Sequence, residues 1–301
     1  KPFEGFNFRT NFGTNINNTR VGLFEASNSI SRNGGTSRAQ YTASNSRFIN
    51  WDNVINYQKE IKDHSFAITA LSSFVQEESD NVLAQGENQL LPGQLFFGLG
   101  NAPDNISINS GFSKWNVLSF AARLKYSYKG KYLITLTDRA DGASRLSKGN
   151  KWAYFPSAAF AWRVVDENFM QNVAAVSELK LRLSYGVAGN SGIKAYGTQS
   201  SLTRIPMAFG ESSFQGFTFS PLLGNPDAGW ELSETTNFGI DLGLWRSRIN
   251  ATMDIYDTRT SDLLLPRGLP PTSGVQQVYQ NIGKTKNQGV EIGINSLNIE
   301  N

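Results

Sequence analysis

The sequence predicts an all-β protein: an antiparallel, up-and-down transmembrane β-barrel wall of about ten strands. Three observations point there. Apolar and polar residues alternate strictly over many short segments, the connections sort into short and long by turns, and aromatic residues gather near segment ends. The clearest alternation is SELKLRLSYGVAGNS, residues 177–191. There Leu179, Leu181, Leu183, Tyr185 and Val187 oppose Lys180, Arg182, Ser184 and Gly186. A strand's side chains alternate between faces, so this segment has one apolar face and one charged face.

Composition narrows the setting. The chain has 301 residues, 39% of them hydrophobic, and no run approaches the roughly 20 apolar residues a spanning helix needs. Barrel strands are only half apolar, so this leaves a membrane location open. Aromatic residues reach 12% and glycines number 28, a combination suited to strands and turns. The net charge is +3 with Lys and Arg dispersed, which argues against a nucleic-acid surface. Cysteine is absent, so disulfides and thiolate metal sites are excluded. The chain opens as KPFEGFNFRT, already strand-like, and is expected to be a piece of something longer.

In order, the expected strands are Phe6–Phe12, Val54–Ile61, Phe66–Val75, Leu118–Tyr128, Tyr132–Leu136, Tyr154–Val164, Leu179–Val187, Trp230–Leu244, Ile249–Ile255 and Gly289–Ser296. Either face of the second and third reads as apolar. Lys129-Gly130-Lys131 makes a tight hairpin, Trp245-Arg246-Ser247-Arg248 is also short, and so is the link from Ile61 to Phe66. DENFMQNVAAVSE, after Val164, reads as one short helical turn. Loops of about 40 residues are expected after Gly13, Gln76 and Gly189, and of about 30 after Thr258. Links after odd-numbered strands are long and those after even-numbered ones tighter. A transmembrane barrel sorts its two rims in this way, and a soluble sandwich has no reason to.

The faces follow from a cost: a charge facing lipid at mid-depth is unfavourable by roughly 2–4 kcal/mol. Arg123, Lys125, Arg163, Lys180, Arg182, Asn237, Asp241 and Glu291 therefore face the interior. The lipid side takes Phe160, Leu181, Leu183 and Ile240, with aromatic belts at two levels. Tyr126, Tyr128, Tyr132, Trp162 and Trp245 lie by the short turns, and Trp152, Tyr154 and Trp230 by the long loops.

With the strands placed, four blocks stand out. YKGKYLITLTDRADGASRLSKGNKWAYFPSAAFAWRVVDENFMQ is followed by SELKLRLSYGVAGNSGIKAY and LLGNPDAGWELSETTNFGIDLGLWRSRINATMDIYDTRTSDLLL, and then by LPPTSGVQQVYQNIGKTKNQGVEIGI. In this order, from Ser119 to Ile294, they resemble the SusC/RagA family of TonB-linked outer-membrane proteins. The earlier segment fits more loosely, through Asp63-His64 before a strand. Asp138-Arg139-Ala140 departs from the pattern, since many members carry a second basic residue there. The resemblance implies a 22-stranded barrel in the bacterial outer membrane, with an N-terminal plug. It implies import of oligosaccharides or peptides with a SusD-like lipoprotein lid, energised by the TonB complex through an N-terminal part. Residues 1–301 would then be a partial barrel domain, with the plug and the remaining strands outside it. A structural or adhesive outer-membrane protein that carries nothing is the alternative, and a soluble carbohydrate-binding sheet a third.

No constellation argues for catalysis, a cofactor or a metal. His64 is the single histidine, so no triad or His-pair site can form without it, and its short link suits an exposed turn residue. Gly98-Leu99-Gly100 does not lead from a strand into a helix and makes a poor phosphate cradle. Asp138 and Asp141 beside Gly142 are expected to shape a turn, and Asn225-Pro226-Asp227 to start one. LTRIPMAFGESSFQGFTF, about residues 202–219, is the loop expected to touch substrate or lid, unless it packs on its neighbours.

Overall fold

The structure, a computed structural model, describes residues 4–210 and 212–298. Its strands are β1 (Phe6–Glu25), β2 (Arg38–Ile61), β3 (His64–Glu87), β4 (Asp104–Tyr128), β5 (Tyr132–Ala143), β6 (Trp152–Tyr154), β7 (Ser157–Arg163), β8 (Val176–Asn190), β9 (Leu202–Phe209), β10 (Ser212–Phe219), β11 (Leu222–Leu223), β12 (Glu231–Leu244), β13 (Ile249–Gly268) and β14 (Gln277–Ser296). Twelve form one sheet in the order β1-β2-β3-β4-β5-β7-β8-β12-β13-β14-β11, with β6 beside β5. The long strands follow one another as an antiparallel meander, while β11 joins β14 in parallel. Nine of the ten expected strands lie within one of these strands, Trp230 excepted, whereas Tyr154–Val164 is split between β6 and β7 with Phe155 and Pro156 between them.

The loops are where the structure corrects the sequence reading. β1 continues to Glu25 and β2 begins at Arg38, so most of the expected loop after Gly13 is strand. β3 likewise runs to Glu87, β4 starts at Asp104, and β13 reaches Gly268. A membrane crossing needs only about 9–11 residues, but β2, β3 and β4 have 24, 24 and 25. Alternation fades along their extensions, where polar residues occupy both faces, as in NFGTNINNTR of β1. The segment between Asn190 and Glu231 does keep its length, and it holds β9, β10 and β11.

Two structural units make up the chain. The smaller takes in Asn11–Trp51 and Phe74–Asn116. Within it, Arg38 grips Glu25 and Arg32 reaches Glu87 at 2.8 Å, while Glu78 receives Arg47 at 3.3 Å and Lys114 at 3.0 Å. Phe96 stacks on Tyr41 at 6.3 Å and lies where a side chain at residue 22 would stand, which only Gly22 permits.

The larger unit comprises Lys1–Thr10, Asp52–Ser73 and Val117–Asn301. Its short connections show why these residues turn. Lys129 (φ 54) and Gly130 (φ 69) take left-handed backbone between β4 and β5, matching the twist of the flanking strands. Between β12 and β13, Trp245, Arg246 and Ser247 are all left-handed. The link from β7 to β8 contains two 3-10 turns, Val164–Asp166 and Asn168–Met170, rather than one helical turn. Neighbouring links bond laterally: the Lys129 amide donates to the Asp63 carbonyl at 2.7 Å, and the Trp245 amide to the Ala175 carbonyl at 2.8 Å.

Glu167, between those 3-10 turns, ties this rim together. Its carboxylate accepts from Tyr132 Oη at 2.7 Å, Trp162 Nε1 at 3.1 Å and Lys131 Nζ at 3.2 Å. The Tyr132 hydroxyl chiefly, then Trp162 and Lys131, hold its carboxyl below the usual carboxylate range. These bonds therefore stabilise the rim fully above that range and are lost as pH falls through the depressed pKa. Glu167→Gln is expected to speed unfolding of the assembled protein at neutral pH, with the difference from wild type closing in acid. Thermal unfolding of both proteins on unboiled gels across a pH series checks this.

Candidate functional site: the two faces of the sheet

The registers assemble one apolar face across the larger unit. Leu124 pairs with Leu136, Tyr126 with Ile134, Ile134 with Phe160, and Phe160 with Leu183. Leu183 continues to Phe238 and Leu181 to Ile240. Phe238 leads on to Ile255 and Val290, and Ile240 to Met253 and Ile292. No element covers this face among the described residues: Phe160 is 42% exposed, Leu183 52%, Val290 60% and Ile292 69%. An uncovered apolar surface of this extent is foreign to a soluble monomer.

At the short-turn end the face closes in a row of rings. Tyr128 stacks on Tyr132 and Tyr132 on Trp162, each pair at 6.3 Å, with Tyr126 and Phe66 adjoining at 5.0 Å. His64 belongs to this row, which corrects the reading of it as an exposed turn residue. It opens β3, its ring lies 4.9 Å from Tyr128, and its Nδ1 is 2.8 Å from the Tyr126 hydroxyl. Trp245 stands at the neighbouring turn, 55% exposed. At the loop end, Trp152 stacks on Phe120 at 6.3 Å and Tyr154 is open to its surroundings. Trp230 does not join them, which corrects its expected place in the belt. Its ring meets Phe155 edge-on at 5.2 Å and packs on the buried cluster Ala143, Leu146, Ile193, Ala228 and Leu264, and its Nε1 donates to the Lys151 carbonyl. Loop packing claims this indole because it immediately precedes β12, beside the loop residues Leu146, Ile193 and Ala228.

The opposite face carries the charges. Arg182 on β8 reaches across β12 to β13. Its Nε and Nη2 donate to Asp241 at 2.9–3.1 Å, and Nη1 and Nη2 donate to Asp254 at 2.9 and 3.0 Å. One planar guanidinium thus serves two carboxylates, which Lys could not do. Lys180 adds a longer contact to Asp241 at 4.0 Å. The reach depends on Gly239, opposite both Arg182 and Asp254, because a Cβ there would lie 2.5 Å from the guanidinium carbon. Glu291 is the register partner of Asp254, and Asn237 that of Ser184 and Tyr256. Further along, Arg123 donates to Thr137 Oγ1 at 3.1 Å, Lys125 pairs in register with Thr135, and Arg163 binds Asp166 at 3.2 Å.

Sequence reasoning missed Asp254, Gly239 and Glu167. Asp254 had a signal, as the charged position between Met253 and Ile255; Gly239 had none without its cross-strand neighbours. Of the acids considered for chemistry, Asp141 is buried and held by Arg139 Nε at 2.8 Å, while the amide of Asp227 donates to Asn225 Oδ1, making the expected turn. Gly239→Val is expected to expel the guanidinium and lower the unfolding temperature more than Arg182→Gln does. The double variant should add little to Gly239→Val, because both changes act on one contact; calorimetry of the three proteins checks this.

The comparisons agree with this architecture. Residues 2–299 match the family model described as TonB dependent receptor-like, beta-barrel. TonB-dependent receptor P3 of Formosa agariphila is 31% identical over 298 residues, 99% of this chain and 30% of that protein. TonB-dependent receptor SusC of Bacteroides thetaiotaomicron is 37% identical over 188 residues, 60% of this chain and 18% of that protein. Among solved structures, the RagAB peptide importer in its closed-closed state superimposes with a TM-score of 0.89 at 26% identity, covering 100% of this chain and 33% of that one. The chain therefore spans about a third or less of the length of these relatives. It belongs to the TonB-dependent receptor-like β-barrel family of the outer membrane.

Proposed function

We propose that this chain is wall from a TonB-dependent importer, with the Leu183 face against lipid and the Arg182 face lining the interior. The carrying observation is the pairing of an uncovered apolar face with a charged, hydrogen-bonded face behind it. In hydrocarbon every backbone polar group needs a partner, which the continuous antiparallel ladder supplies for the paired strands. Lumen-facing residues on this reading are Arg123, Lys125, Arg163, Lys180, Arg182, Asn237, Asp241 and Glu291.

The cargo on this reading is an oligosaccharide or a peptide, taken up with a lipoprotein lid and energised through TonB. The similarity to SusC and to a peptide importer supports the class and leaves both cargoes open. The hairpin of β9 and β10 is the element best suited to meet cargo or lid. It forms a two-stranded sheet of its own, and Leu202, Met207, Phe214, Phe217 and Phe219 are between 48% and 66% exposed. Aromatic faces there offer stacking surface to sugar rings and apolar area to peptide side chains.

Leu183→Arg in the full-length protein is expected to block assembly, at a cost of roughly 2–4 kcal/mol, whereas Arg182→Leu should still assemble. Heat-modifiable migration of outer-membrane fractions reads both, and equal damage would refute the face assignment. Replacing residues 202–219 with a short Gly-Ser linker should leave assembly intact and abolish uptake of labelled cargo in cells. Unchanged uptake would remove the hairpin from the transport path.

A further inference from the structure

The outward face changes character abruptly along β12, β13 and β14. Phe238, Ile255 and Val290 share one rung, and Thr236, Asp257 and Gln288 share the next on that face. The rung beyond holds Glu234, Arg259 and Lys286. Lys284 follows two residues along β14, on the same face, beside the shift in the β13–β14 register after Thr260. Arg259, Lys284 and Lys286 line one open groove together with Glu234.

Depth places this groove. From Ile249, at the short turn, to Arg259 the strand advances about 33 Å at roughly 3.3 Å per residue. A strand tilt of about 40° reduces that to about 25 Å, the usual height of a barrel's apolar band. These basic residues thus stand on the lipid side at the loop-side edge of the hydrocarbon, where headgroups lie. Asp257 sets their geometry. It accepts from Arg259 Nε at 2.9 Å, from Lys286 Nζ at 3.4 Å and from Gln288 Nε2. The Arg259 and Lys286 side chains nevertheless stay 67% and 51% exposed. Asp257 takes one nitrogen of each cation and carries one negative charge against two positive ones, so the Arg259 fork and the Lys286 ammonium keep further donors for a second anion. Lys284 makes no ion pair among the described residues.

We propose that Arg259, Lys284 and Lys286 form a binding site for the phosphate of an anionic lipid headgroup in the outer leaflet. The proposal rests on the membrane-facing assignment of the Leu183 face and goes beyond transport: it concerns which lipid the wall holds. Phosphate oxygens suit the Arg259 fork, with the two ammonium groups as flanking point charges.

The test uses the full-length protein assembled in phosphatidylcholine nanodiscs with or without lipid A, with retained lipid counted by native mass spectrometry after detergent release. The variant Arg259→Gln/Lys284→Gln/Lys286→Gln is compared with a control, Lys129→Gln/Lys148→Gln. The triple variant should migrate as an assembled barrel and retain lipid A about tenfold less than wild type, while the control retains it fully. Equal retention by an assembled triple variant would overturn the site and leave the membrane-facing assignment standing. Loss of assembly in Leu183→Arg tests that assignment separately. Displacement of lipid A by millimolar inorganic phosphate would also overturn the proposal, because the groove would then be a free-anion site.

Discussion

The structure depends on one constraint: along each paired strand, successive side chains face opposite media, and the ladder makes neighbouring strands agree on which is which. Phe160, Leu183, Phe238, Ile255 and Val290 lie on one line because five strands hold that agreement. A shift of one residue in any of them would exchange apolar and charged faces. The residues between them are therefore free to be charged, and Arg182, Asp241 and Asp254 use that freedom.

The two rims solve a different problem. At the short-turn rim, chain reversal takes few residues, so left-handed positions and side-chain anchors do the work. Glu167 binds three partners from β5, its preceding turn and β7, and His64 fills out the ring stack. At the loop rim the chain has length to spare and builds a small buried cluster around Leu146, with Trp230 against it. Aromatic residues that look alike in sequence thus stand in an exposed ring row in one place, as Tyr132 and Trp162 do, and in loop packing in another, as Trp230 does.

Much of the fold was legible because two unlike faces write a strong pattern. In β8 and β12 one face is apolar and the other polar or charged, and the residues alternate accordingly. The same rule explains where legibility stopped. In Asn11–Glu25 of β1 polar residues take both faces, so strand looked like loop, although the backbone pairing is the same. The register was not legible either, and with it went Gly239, whose meaning lies in side chains from β8 and β13. For His64 the sequence offers only a short link between two strands, whereas the rings around it come from β3 itself and from β4. The hairpin of β9 and β10 was visible as an aromatic, glycine-bearing stretch but not as strands, since no core patterned it.

Alternation alone has a blind spot: sliding a strand by two positions restores every residue to its proper medium. The bridge from Arg182 across Gly239 to Asp254 removes that degeneracy. After such a slide the guanidinium would cross residue 237 or 241, both bearing side chains, instead of the one bare position. A single cation and a missing methyl group thus act as an alignment pin for three strands, a distinction that alternation, indifferent to even-numbered offsets, cannot make.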